Sequence, residues 1–326
     1  MVHVLRRLAV LAMGAAVALG SGAAGAQAAW PNQAVRVVVG FPAGTTGDLL
    51  MRIVAPKLGE ALGQPVLVEN RPGAGSSIAA DAVAHARPDG YTLLLSTTAN
   101  VINPSLFPKL PFDFVKDLVP VMVVGEAPAL LVTSVSSPVT TVAGLVAAAK
   151  AKPGAMTFAS SGNGTFTHLY GELFNQQAGV QLLHVPYKGS SQAVTDLLAG
   201  QVDLLFTPAS TVIPHVKAGK LRALGTIGHR RLAALPDVPT FAEAHVAGFD
   251  SALWFGLNAP RGTPPAVVQR LAKEVTRVLA LPEVREQLTA QSIDAVASSP
   301  ASFGNLIRDE GKKWAAVIKA ADIKVE

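Results

Sequence analysis

Short apolar runs alternate along the chain with longer stretches in which apolar residues recur every three to four positions. Val35 to Phe41 (VRVVVGF) predicts a strand, Pro42 to Gly47 a turn, and Asp48 to Leu62 an amphipathic helix. Val66 to Glu69 predicts a second strand, followed by the loop Asn70 to Gly75 and a helix running to Ala86. The turn Pro88-Asp89-Gly90 then feeds a third strand, Tyr91 to Ser96. Beyond it, Leu118 to Val124 and Leu130 to Thr133 read as strands separated by Pro128.

A second set of alternating elements follows. Thr140 to Lys150 predicts a helix, Met156 to Ala159 a strand, and Gly164 to Gln177 a strongly amphipathic helix. In that helix Phe166, Leu169, Tyr170, Leu173 and Phe174 share one face. Leu182 to Val185 and Val202 to Phe206 are further strands, with a helix from Ser191 to Ala199 between them. Leu221 to Ile227 and Trp254 to Asn258 complete the strands, and a helical C-terminal region follows Pro264. Alternation of this kind predicts an α/β fold with a largely parallel sheet. The proline-flanked segments near 126–131 and 250–260 are candidate hinges, which would return the C-terminal helices to the first half.

The N-terminus departs from the pattern. Arg6 and Arg7 precede an apolar run from Leu8 to Gly20, then a small-residue stretch from Ser21 to Ala29. Ala26 and Ala28 occupy the small positions of an export-signal cleavage site, so residues 1–28 are expected to be removed. The uncharged stretch 127–149 is interrupted by Pro128 and Pro138, and reads as strand, turn and helix rather than a membrane span.

Composition narrows the chemistry. A 326-residue chain has room for two cores. It has no cysteine, which excludes disulfides, thiolate metal sites and a thiol nucleophile. Signal removal takes two arginines and lowers the formal charge from +5 to +3, with no basic run suited to nucleic acid. Gly73-Ala-Gly-Ser-Ser-Ile78 lacks the third glycine of a dinucleotide fingerprint. His168 and Glu172 share a helix face and predict a solvated pair rather than a metal site, and His184 predicts a partly buried histidine. Trp254 reads as core or hinge packing. No metal and no cofactor is expected.

Three segments end a strand and open a helix with small or hydroxyl residues: Phe41 to Asp48, Ser160 to Thr165, and Tyr187 to Ser191. Unpaired amides at such helix starts favour anions, although the same residues also serve as ordinary caps. A micromolar ligand needs about 8 kcal/mol, which about five charge-assisted hydrogen bonds of roughly 1.5–3 kcal/mol can supply after ordering costs. The competing reading is an exported cleft hydrolase using Ser160 or Ser161. No base is spaced to activate either serine.

Blocks of sequence carry a resemblance. Among them are FPAGTTGD (41–48), VLVENRPGAGSSIAADAVAHARPDGYTLL (66–94), SSGNGTFTHL (160–169), HVPYKGSSQAVTDLLAGQVDLLF (184–206) and WFGLNAPRGTPPAVVQRL (254–271). The mature chain resembles the solute receptors of tripartite tricarboxylate transporters, the Bordetella-type uptake receptor family. That resemblance implies a two-lobed periplasmic binding protein of type II (Venus-flytrap) with two crossing strands. Residues 29–128 and 256–326 would form one lobe and 129–255 the other. It implies a non-enzymatic receptor for a small mono-, di- or tricarboxylate, delivering its ligand to membrane transporter subunits. A monomer is expected, and a further alternative is a receptor whose closed form signals to a membrane sensor kinase.

The implied ligand site takes Phe41, Ala43, Gly44, Thr45, Thr46 and Asp48 from the first loop, with Thr97 and Thr98 near the cleft floor. Ser160, Ser161, Gly162, Thr165, His168 and Tyr187 would oppose them, together with Pro208 and Ala209. Two positions depart from the family pattern. Thr45 stands where a second glycine is usual and would resist a positive φ, and Ser76 ends the usual NRPGAGG block.

Overall fold

The computed structural model describes residues 30–107, 109–250 and 252–325. The expected export signal lies outside them. β1 (Val35–Val39) carries an almost wholly buried valine run and leads into α1 (Thr46–Leu62), which Gly63 ends in a left-handed conformation. β2 (Val66–Asn70) and a short 3-10 turn (Ala74–Ser76) precede α2 (Ser77–Ala84). β3 (Thr92–Thr97), α3 (Thr98–Leu106), the single-turn α4 (Phe114–Asp117) and the long β4 (Leu118–Ala127) follow.

After Pro128 the chain enters β5 (Ala129–Ser134), α5 (Val142–Ala151), β6 (Thr157–Ser160) and α6 (Phe166–Ala178). β7 (Leu183–Pro186), α7 (Ser190–Leu198), β8 (Leu204–Pro208), α8 (Ala209–Lys217) and β9 (Leu221–Ile227) complete this part. β10 (Leu253–Pro260), α9 (Pro265–Leu279), α10 (Pro282–Ala290), β11 (Asp294–Ala295) and α11 (Pro300–Ala320) close the chain.

The strands form two sheets, one in each lobe. One has six strands in the order β11-β4-β10-β3-β1-β2, and the other five in the order β7-β6-β8-β5-β9. Neither is largely parallel, which corrects the expectation from the sequence. β1 pairs in parallel with β2 and β3, and β6 with β7 and β8. β5 and β10 instead run antiparallel to every neighbour. The cause is the crossing: β4 hands the chain at Pro128 to the second sheet, and β10 brings it back to lie between β3 and β4. A strand that returns from the other sheet need not share the direction of its neighbours.

The C-terminal helices pack on the first sheet, α9 against α1 and β4, and α11 against α3 and β4. α11 also reaches the second lobe. Trp314 meets the Tyr170 ring of α6 edge-on at 5.2 Å, and Gln176 donates to the Val317 carbonyl over 3.3 Å. Trp254, 1% exposed, packs against Phe303 of α11, as expected for core packing.

Candidate ligand cleft

A cleft of about 360 Å³ opens where α1, α3 and α6 begin. The start of α1 contributes Phe41, Thr45, Thr46 and Gly47; the start of α6 contributes Ser161, Asn163, Gly164, Thr165 and Phe166. Thr97, Ala99 and Asn103 come from the β3–α3 junction, and Gly75 from the preceding turn. Leu253 and Phe255 of β10, Leu106, Phe107 and Val325 supply the remaining, apolar wall.

Two of the three helix starts are built alike. In α1, Thr45 is the N-cap with φ −74° and ψ 161°; in α6, Thr165 takes φ −72° and ψ 158°. Neither hydroxyl caps its helix. Thr45 Oγ1 instead donates back to the Pro42 carbonyl at 2.8 Å, and Thr165 Oγ1 to the Gly162 carbonyl at 2.7 Å. The preceding Gly44 and Gly164 both have positive φ, +83° and +70°. Their amides donate four residues ahead, Gly44 to Asp48 Oδ2 at 2.8 Å and Gly164 to His168 Nδ1 at 3.1 Å. First-turn amides have no intrahelical acceptor, so those of Thr46, Gly47 and Phe166 remain to meet a ligand at the positive end of each helix dipole. α3 differs, because Thr97 accepts from the Ala99 amide while Asn100 accepts from the Thr97 amide, a complete capping box.

Thr45 therefore needs no positive φ, since Gly44 supplies the turn. The strained conformation falls instead on Ser76, at φ +75°. Its side chain leaves no space for a Cβ at Gly40, where one would lie 2.0 Å from Ser76 Oγ.

Six of the expected ligand residues line the cleft: Phe41, Thr45, Thr46, Thr97, Ser161 and Thr165. The others lie outside its lining, for separate reasons. Ala43 and Gly44 are exposed at the loop tip. Asp48, 1% exposed, braces the loop from behind by accepting from Gly44, Asn70 and Arg52. Burial alone would raise its pKa, but the hydrogen bonds from Arg52, Gly44 and Asn70 outweigh that and hold it below the ordinary carboxylate range. Thr98 is buried in the first turn of α3. Gly162 turns the loop, accepting from Thr165. Pro208 and the buried Ala209 start α8, where the Ala209 amide donates to the Pro128 carbonyl.

Tyr187 follows the edge strand β7, and its hydroxyl donates to Asp196 at 2.8 Å. Burial and that carboxylate push its pKa up to about 12. The third helix start, at α7, accordingly contributes nothing to the lining of this cleft.

His168 is buried rather than solvated. Its ring stacks on His184 at 3.7 Å between centroids, and its Nε2 lies 3.7 Å from Glu172. Among the described residues no group of three potential ligands could hold a metal. The structure does bring a serine to a histidine: Ser160 Oγ lies 2.6 Å from His184 Nε2. Ser160 is fully buried, however, and its hydroxyl also bonds the Gly162 amide and carbonyl, so it organises the loop behind the cleft. Burial, then the adjacent His168, push His184 down to about 4 against an opposing pull from Glu172. Sequence reasoning missed the apolar wall. Leu106 and Phe107 end a helix hidden by Pro104, and Val325 lies far from every motif.

Uncapped starts of two helices, one packed beside each sheet, thus line one cleft. The profile described as "Tripartite tricarboxylate transporter family receptor" matches residues 50–323. The chain belongs to that family. Protein BugT of Bordetella pertussis is 37% identical over 299 residues, which cover 91% of this chain and 92% of BugT. Among solved structures, R. palustris Rpa4515 with adipate is 34% identical with a TM-score of 0.77, covering 90% of this chain and 99% of its own. MatC (Rpa3494) from Rhodopseudomonas palustris with bound malate is 32% identical with a TM-score of 0.73, covering 89% of this chain and all of its own. Among the described residues no helix is long and apolar enough to cross a membrane.

Proposed function

We propose that this protein is a periplasmic solute receptor that binds a small carboxylate between its lobes and delivers it to a tripartite transporter without transforming it. The observation that carries this reading is the pair of uncapped helix starts, α1 and α6, presenting free amides to the same cleft. Family membership and the adipate and malate bound by two relatives support it. In this reading residues 29–128 with 256–326 form one lobe, 129–255 form the other, and Pro128 and the approach to β10 are the hinges. The mature protein starts at Ala29, works in the periplasm as a monomer, and closes over its ligand. The hydrolase alternative, using Ser160 or Ser161, gains no support: Ser160 is sealed from the cleft, and Ser161, which lines it, has its hydroxyl bonded to Thr167 rather than to a histidine.

A thermal-shift screen of the mature chain against carboxylates, sugars and amines tests this. A true ligand at about a hundred times its Kd stabilises by about 2.7 kcal/mol, a clear rise in midpoint. A response to sugars or amines alone contradicts the reading, and turnover of the stabilising compound returns the enzyme alternative.

A further inference from the structure

The cleft separates its polar and apolar capacity, and the separation points to a kind of ligand. Among the described residues, no Asp, Glu, Lys, Arg or His lines it. Most of its polar side chains are already engaged. Asn103 Nδ2 donates to the Gly75 carbonyl at 2.7 Å and to Ser77 Oγ at 2.8 Å. Thr97 Oγ1 accepts from Ala99, and Ser161 Oγ bonds Thr167 Oγ1 at 2.9 Å. Polar capacity for a ligand is thus concentrated at the helix starts on the two loops. The wall between is carbon, with Phe41, Leu106, Phe107, Phe166, Phe255 and Val325 contributing to it. Leu106 and Val325 press on the second loop itself, since a Cβ at Gly164 would lie 2.7 Å from Leu106 Cδ1 and 2.9 Å from Val325 Cγ1.

We infer that the ligand is a dicarboxylate with an unsubstituted hydrocarbon body, one carboxylate at the start of α1 and the other at the start of α6. This rests on the carboxylate-receptor reading and narrows it. A hydroxyl or third carboxylate on the body would leave water to lie against a wall that is mostly carbon. Each added methylene would gain contact with the same wall until the cavity is filled.

Isothermal titration of the mature protein with succinate, glutarate, adipate, pimelate and suberate, alongside malate and citrate, tests the inference. Affinity is expected to rise about fourfold per methylene up to the cavity limit. Malate, which is succinate with one hydroxyl, is expected to bind at least about tenfold more weakly than succinate. Val325→Ala is expected to narrow the preference for adipate over succinate by about threefold. Malate or citrate binding more tightly than every unsubstituted acid overturns the inference while leaving the receptor reading intact. A Val325→Ala protein with an unaltered chain-length preference also counts against it. No binding by any carboxylate removes the receptor reading, and the inference with it.

Discussion

Asp48 and His168 occupy equivalent places, each taking the amide of a glycine four residues earlier and so setting the turn in front of the cleft. The chemistry of the two braces differs, and so do their consequences. Asp48 is anionic and balanced by Arg52, with Asn70 tying it to the Phe41 carbonyl. Asp48→Asn leaves Arg52 and the Gly44 amide with a weaker acceptor. A loss of about 1–3 kcal/mol in denaturant unfolding is expected, with weakened ligand binding. On the other side, His184 is held neutral down to about 4, against 6.5 for the free side chain. Between those values the unfolded chain binds a proton that the folded chain refuses. This contribution to stability therefore declines as pH falls from about 6.5 and levels off below about 4. Thermal midpoints across that range check it, and His184→Gln should flatten the slope. The sequence identified Asp48 as a helix-start acid and His184 as partly buried. The His168–His184 stack was not legible, because the two lie on elements whose contact only the tertiary fold creates.

At the scale of elements, α1 and α6 matter because they are uncapped. Proline at the first helical position keeps the helix geometry and removes one amide donor. Thr46→Pro suits the extended Thr45 before it, and is expected to weaken ligand binding about 10- to 100-fold with little change in unfolding free energy. Thr46→Ala, which keeps the amide, should lose less. An equal effect of both substitutions would assign the binding to the hydroxyl instead. Packing of α6 depends on Gly171, where a Cβ would lie 2.0 Å from the Phe158 ring, the ring that also stacks on His184 at 4.9 Å. Gly171→Ala is expected to cost about 1–3 kcal/mol, measured by denaturant unfolding. Both helices were legible from apolar spacing. α3 was not, because Pro104 breaks its pattern. The antiparallel course of β5 and β10 escaped too, since an apolar run carries no record of the strand beside it.

Across the whole molecule, the chain crosses between sheets at Pro128 and again on the way to β10, and α11, packed on the first sheet, also touches α6 through Trp314 and the Val317 carbonyl. These crossings were legible from proline placement. The apolar wall was not, since it is assembled from α3, β10 and a residue near position 325. If the lobes close on a ligand, small-angle scattering should show a smaller radius of gyration with a stabilising carboxylate than without it. The central claim, that two opposed helix starts hold the anion, is met most directly by a crystal structure of the mature protein with a stabilising dicarboxylate. The account predicts one carboxylate within hydrogen-bonding distance of the Thr46 and Gly47 amides and the other at the Phe166 amide. A ligand held by charged side chains elsewhere, with both helix starts facing only water, would contradict it.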